Sequence, residues 1–344
     1  MIAIVAVVVG GIAVILLQRA SYMSRNSNVR SLEALAGEQA IYWKSREDTV
    51  LNKLDGIADI MGGFETIRAA DRRDTFDNML LTALNSNPNF VSISSVWKPN
   101  TLDYRDTQFI GRTGSSPTGQ YAMNYSRETG RVTASTSPVV NEITAYINGP
   151  DALKVRVENP MPFKVNGKDT FVVRMGVPIT RNTTDEVVGH LAVLLDIAPM
   201  QDVLNNILRN REGISVISVY SQDATIMASP MPDHIGKKLA DVEDLYGDYQ
   251  KDANQAVLKG FNFYCQSFEP LLKETLHIVI TPFKLGNSDT TWSVMIASTE
   301  SYILREVRMM TAFTIILVTI TLIAAIVIII RVISAVTKPA VKPV

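Results

Sequence analysis

The chain has 344 residues, with 33 Lys and Arg against 34 Asp and Glu, a formal net charge of -1 and 7% aromatic residues. That balance excludes the basic face a nucleic-acid binder needs, so no nucleic acid is expected among the partners. A lone Cys265 excludes an internal disulfide and no Cys/His spacing points to zinc, so the residues call for neither a metal nor another cofactor.

The first element is an apolar run over residues 1–17, without a basic n-region or an A-x-A-like cleavage site, and it is expected to be an uncleaved transmembrane helix. A second apolar run, residues 309–330, carries no charge and at about 1.5 Å per residue is long enough to cross the bilayer. Arg331, Lys338 and Lys342 follow it, which places the C-terminus in the cytoplasm and the intervening residues outside. The expected location is a bacterial inner membrane, crossed twice, with the domain between the spans periplasmic or extracellular.

Residues 18–63 are expected to form a long stalk helix. Val29, Leu32, Ala36 and Ala40, then Val50, Leu54, Ile57 and Met61, recur at helical spacing until Gly62-Gly63 interrupts them. Such a stripe needs a partner along its length. Two readings stand: packing on its own domain, or a homodimer seam. A shorter helix is expected over 72–84, ended by Asn85-Ser86-Asn87-Pro88-Asn89.

From Phe90 the period changes to two, since Val91, Ile93, Ser95 and Trp97 alternate with Ser92, Ser94 and Val96. Further strands are expected over 155–157, 170–177 and 190–195, then a helix over 200–211. A second set of strands follows over 215–220, 225–228, 261–268, 277–280 and 293–297. Phe171–Leu195 reads as apolar strand with Val177-Pro178-Ile179, polar turn, apolar strand; His277–Ala297 repeats this with Thr281-Pro282-Phe283 after about 100 residues. That is a domain-sized period, and it predicts two related α+β modules in tandem, each an antiparallel sheet with its helices segregated.

With these elements in place the chain resembles the double Cache (dCache) sensor region of bacterial methyl-accepting chemotaxis proteins and sensor kinases, truncated at the start of the HAMP linker. The stretches that carry the resemblance are Val96-Trp97-Lys98-Pro99-Asn100, Asn124-Tyr125-Ser126-Arg127-Glu128, Glu158 through Lys168, Gly176-Val177-Pro178-Ile179, and Val188-Gly189-His190 through Asp196-Ile197. Ile235-Gly236-Lys237-Lys238-Leu239, Thr291-Trp292-Ser293-Val294, and Arg331-Val332-Ile333 with Lys338-Pro339 continue it to the end. It implies an α+β fold of two tandem PAS-like Cache modules behind a long N-terminal helix, flanked by two transmembrane helices. The implied division is residues 1–17 first span, 18–63 stalk helix, 64–212 membrane-distal module, 213–308 membrane-proximal module, 309–330 second span and 331–344 start of HAMP.

The resemblance also implies a ligand pocket in the membrane-distal module, and by position it nominates Trp97, Tyr125, Arg127, Tyr146, Met161, Phe163 and Asp196. In amino-acid-binding relatives the residue at Asp196 receives the ligand ammonium. The competing reading is helix capping, because a helix is expected to begin near Pro199. The chain departs from those relatives in reading Ile143-Thr144-Ala145-Tyr146 where they carry an Arg-x-Trp-Tyr cluster, and in placing Met161 and Phe163 where a tyrosine and an aspartate are expected. The implied ligand is an amino acid, an amine or another small metabolite.

No catalytic pattern competes. The sequence holds no G-x-S-x-G elbow, P-loop or G-x-G-x-x-G, and His190, His234 and His277 are far apart, which predicts structural histidines. The expected function is a non-enzymatic transmembrane chemoreceptor that senses a small ligand and passes a helix displacement to cytoplasmic signalling partners. A histidine-kinase or cyclic-di-GMP sensor region, and a membrane-tethered ectoenzyme, are the alternatives.

Overall fold

The computed structural model describes residues 2–242, 245–270 and 272–336. Helix α1, Ile2–Gly62, is one helix of 61 residues, and α2, Arg72–Ser86, follows. Then come β1 (Phe90–Trp97), β2 (Ala122–Ser126), β3 (Thr133–Thr136), α3 (Val140–Ile147), β4 (Arg156–Val157), β5 (Met161–Val165), β6 (Lys168–Thr180) and β7 (Val187–Asp196). Helix α4 (Ala198–Asn210) leads to β8 (Val216–Tyr220), β9 (Ile226–Ala228), α5 (Gln250–Lys259), β10 (Phe263–Glu269), β11 (Glu274–Lys284), β12 (Thr291–Thr299), α6 (Glu300–Ile303) and α7 (Arg305–Val336).

The strands make two antiparallel sheets. The first runs β3-β2-β1-β7-β6-β4 with β5 also on β6, and the second β10-β11-β12-β8-β9. Phe171–Leu195 and His277–Ala297 therefore lie in different sheets, as the hairpins β6–β7 and β11–β12. The two prolines of the repeat stand inside strands rather than in the turns: Pro178 pairs with His190 and Pro282 with Ser293. On its other side β6 is paired by β4 only as far as Gly176, and β11 by β10 only as far as Ile280. Each proline thus sits where the strand has one neighbour, so its missing N–H breaks no ladder bond.

Helix α1 runs along both sheets. Its stripe Leu32, Ala36, Trp43, Leu51, Leu54, Ala58 and Met61 is buried in one core with Val177 and Val193 of the first sheet and Val294 and Ile296 of the second. Each large apolar side chain buried there contributes about 1.5–3 kcal/mol. The expected seam residues Leu54 and Met61 are fully occupied by this packing. The stripe is thus packed on the chain's own sheets, and among the described side chains of α1 the large apolar ones left exposed are Ile41, Tyr42 and Ile60.

The second sheet is buried on both faces, since Leu276, Ile278, Met295 and Ala297 pack with Ala253 and Val257 of α5. The first sheet is covered on its far side only in part: α3 sets Val140, Ile143 and Ile147 on Val96, Ala122 and Val187. The sheets are tied together by a parallel bridge between Val155 and Ser288, by Lys154 Nζ at 2.6 Å from Asp289 Oδ2, and by Thr290 Oγ1 donating to the Val157 carbonyl at 3.1 Å.

Beyond β12, α6 and α7 carry the chain away from the second sheet. Residues Arg308–Ser334 form a helix of 27 residues that includes an 18-residue stretch of mean hydropathy 3.1, long and apolar enough to cross a membrane, and it is the one such helix among the described residues. The side chains of the first apolar run, and Lys338, Pro339 and Lys342 of the expected HAMP start, lie outside the described residues.

Candidate functional site

The far face of the first sheet is set by strand parity. In β6, Val173, Met175, Val177 and Ile179 point to the α1 core, so Thr170, Val172, Arg174, Gly176 and Pro178 occupy the opposite face. Register carries that face across the sheet. Gly176 pairs with Arg156 and Ala192, Ala192 with Ser94, and Ser94 with Asn124. Below that row, Arg174 pairs with Leu194, Leu194 with Ser92, and Ser92 with Ser126.

The row is built of small residues, Gly176, Ala192 and Ser94, bounded by charged and polar ones. Arg174 Nη1 lies 3.0 Å from Glu158 Oε2, and Arg156 Nη2 lies 3.0 Å from Glu158 Oε1. Arg156 also pairs with Glu142 on α3 and sits over the Tyr146 ring, 5.3 Å from its centroid. Tyr146 meets the His190 ring edge-to-face with centroids 5.6 Å apart. The cluster holds two arginines and two glutamates, so it has groups for both ends of a zwitterion.

His190 lies at the centre of this constellation, 2% exposed. Burial, and then the charges of Arg156 and Arg174, push its pKa down to about 3, so the imidazole is neutral. Its Nε2 has no hydrogen-bond partner among the described residues. A buried nitrogen left unpaired costs about 1–3 kcal/mol, which a hydrogen-bonding guest recovers.

The residues nominated from the sequence divide between the two faces. Trp97 is fully buried on the α1 side, stacked on Phe76 at 5.6 Å and edge-on to Phe64 at 5.0 Å, with Nε1 donating to Ser95 Oγ. Tyr125 pairs with Ile93 and packs on that same core. Arg127 donates to the Leu84 carbonyl in the last turn of α2, a helix-end contact. These three therefore cannot share one pocket with Tyr146, because the sheet stands between them.

Tyr146, Met161, Phe163 and Asp196 are on the far face. Met161 pairs with Val172 and Phe163 with Thr170, while Asp196 pairs with Val172 from the other side. Asp196 Oδ1 accepts from Thr170 Oγ1 at 2.8 Å and from the Ala198 backbone N–H at 3.0 Å, at the start of α4. That carboxylate oxygen has the turn-closing role of the capping reading. Asp196 is six residues from His190 along β7, about 20 Å, so the far face holds two separate groups of nominated residues.

Arg156, Glu158, Arg174, His190, Asn124 and Ser94 were missed from the sequence as site residues. One signal existed: an arginine at position 174 inside the apolar run Phe171–Val177 must face something polar. Among the described residues no group of three His, Cys, Asp or Glu is placed to hold a metal ion.

No protein-family model matches this chain, and no curated protein sequence matches it. Solved structures do. The extracellular domain of mmHK1S-Z2, named as a histidine kinase, aligns with TM-score 0.63 and 18% identity over 80% of this chain and 99% of that one. Methyl-accepting chemotaxis protein X aligns with TM-score 0.58 and 16% identity over 82% and 100%. The periplasmic sensory domain of the Campylobacter jejuni chemoreceptor Tlp1 aligns with TM-score 0.56 and 16% identity over 80% and 98%. At these identities the likeness is one of fold. The chain has the fold of extracytoplasmic sensory domains of chemoreceptors and histidine kinases, the class to which the dCache resemblance pointed, and these neighbours are sensory rather than catalytic domains.

Proposed function

We propose that this chain is the sensor region of a two-pass membrane receptor, a chemoreceptor by first reading, that binds a small extracytoplasmic metabolite on the far face of its first sheet. The observation that carries this is the pairing of Arg156, Arg174 and Glu158 around the neutral, unpartnered His190 above a floor of small residues. A ligand with a carboxylate and a donor group fits it: the carboxylate takes guanidinium N–H groups, and the donor meets Glu158 or His190 Nε2. An amino acid has that chemistry. The first sheet is then the membrane-distal module and the second the membrane-proximal one.

A ligand acts only through a difference in its free energy between two receptor states. The route to the membrane is short, since β12 ends at Thr299, α6 follows, and α7 begins at Arg305 and contains the apolar span. A helix displacement of about 1–2 Å along α7 is the output in this reading, passed to cytoplasmic partners in a homodimer. The histidine-kinase reading uses the same input and is supported by the fold of mmHK1S-Z2.

The test is a thermal-shift screen of the full chain in nanodiscs against single amino acids, amines and carboxylates. A carboxylate-bearing compound should raise the unfolding temperature in a concentration-dependent way. A panel in which only amines without a carboxylate do so would overturn the assignment of the arginines.

A further inference from the structure

The second sheet carries a cavity of about 440 Å³ between β8, β9 and the residues that follow them. Small-molecule sites span about 300–1,000 Å³. Its wall is mostly apolar, with Val216, Ile226, Leu239 and Leu245 contributing side chains. Tyr220 and Tyr246, both buried, also line it, and their hydroxyl oxygens lie 2.9 Å apart. Burial pushes the Tyr220 pKa up to about 12 and that of Tyr246 upward as well, so both hydroxyls keep their protons. The hydrogen bond they share uses one of their two protons and Ser218 also bonds Tyr220, which leaves the second hydroxyl proton and a lone pair on Tyr246 for a guest.

Charge narrows the class of guest. Among the described residues no Lys or Arg lines the cavity, while Glu269 and His234 do, so a carboxylate entering it would lose its hydration and meet another carboxylate without a fixed cation to offset it. From this we infer that the second sheet holds a ligand site of its own for a small, uncharged, largely apolar molecule bearing one hydroxyl or carbonyl group, which meets the Tyr220–Tyr246 pair. The site is distinct in place and chemistry from the arginine cluster of the first sheet. Its wall also reaches both halves of the molecule. The backbone N–H of Ser229, in the wall, donates to Gln201 Oε1 on α4 at 3.1 Å, and Gly236, two residues after the lining residue His234, lies so close against the Phe171 ring of β6 that a Cβ there would come within 1.9 Å of Cζ. Occupancy therefore bears on the contact between the two sheets.

The test uses the full chain in nanodiscs, with empty nanodiscs as the partition control, and saturation-transfer NMR with phenol, toluene and benzoate. Phenol should bind saturably, toluene about five- to tenfold more weakly for want of the hydrogen bond, and benzoate not at all. Ser218→Phe, which fills the cavity from β8, should abolish phenol binding. The double variant Tyr220→Phe with Tyr246→Phe should remove the preference for phenol over toluene while keeping the wall, and it carries the test should Ser218→Phe not fold. Arg174→Ala should leave phenol binding unchanged. Absence of saturable phenol binding, equal binding of benzoate, phenol binding unchanged in a folded Ser218→Phe, or a preference unchanged in the double tyrosine variant would each overturn the inference.

Discussion

The His190 ring lies directly over Gly176 on the neighbouring strand, so closely that a Cβ at position 176 would stand 2.2 Å from His190 Cε1 and 2.9 Å from Nε2. The glycine is needed for that overlap rather than for a special backbone angle. Gly176→Ala should lower stability by about 1–3 kcal/mol as the ring is forced off its seat, the usual cost of overpacking. Denaturant unfolding measures it. An unchanged midpoint would show that the imidazole has room to spare and does not form a fixed wall of the site.

Two buried groups give opposing pH dependences. Glu47 on α1 is raised from 4.5 to about 7, chiefly by burial. Folded chains hold its proton where unfolded chains have lost it, so its contribution to stability is fully present below 4.5 and is lost as pH rises to 7, about 3 kcal/mol in all. His190, lowered from 6.5 to about 3, behaves oppositely: its contribution is present above 6.5 and is lost as pH falls toward 3. Glu47→Gln removes the first term. Relative to wild type, that variant should gain stability between pH 4.5 and 7, and a constant difference across the range would contradict the buried, protonated glutamate.

Arg73 anchors the long connection between β1 and β2. Its Nε is 2.7 Å from Asp103 Oδ2 and its Nη2 2.7 Å from Asp106 Oδ1, with all three side chains nearly inaccessible. Arg73→Met would leave two buried carboxylates without their cation, which should cost about 3–5 kcal/mol. Adding Asp103→Asn and Asp106→Asn should restore part of the loss. No recovery in thermal melts would mean that the arginine acts through its packing instead.

Asp196 has its turn-closing contacts in place. Asp196→Ala should cost about 1 kcal/mol, while Asp196→Asn, which keeps an acceptor for Thr170 and Ala198, should cost much less. A large drop in ligand affinity for the Asn variant, with its melting temperature preserved, would restore the ammonium-receiving role.

Local pattern made much of the fold legible. The alternation from Val91 to Trp97 marks a strand that the structure runs from Phe90 to Trp97, and Gly62-Gly63 marks the end of α1 at Gly62. Elements without local periodicity were not legible: β2, β3 and β5 are four or five residues long, and α3 has eight. The site suffered more than the fold, because its residues come from β1, β2, β4, β6, β7 and α3 and meet only through register. Trp97 shows the difficulty. An aromatic residue in a strand reads equally well as a pocket wall or a core filler, and only the partner across the sheet face, Phe76 on α2, decides it.

The central claim is that the far face of the first sheet, not the α1 side, receives the ligand. Titration calorimetry of a carboxylate-bearing compound from the thermal-shift screen, on wild type, Arg174→Ala and Arg127→Ala, tests it most directly. Arg174→Ala should lose about 1.5–3 kcal/mol of binding, the range for a hydrogen bond to a charged group, and Arg127→Ala should keep wild-type affinity. Loss of binding in Arg127→Ala with Arg174→Ala unaffected would place the ligand on the opposite face and contradict the account.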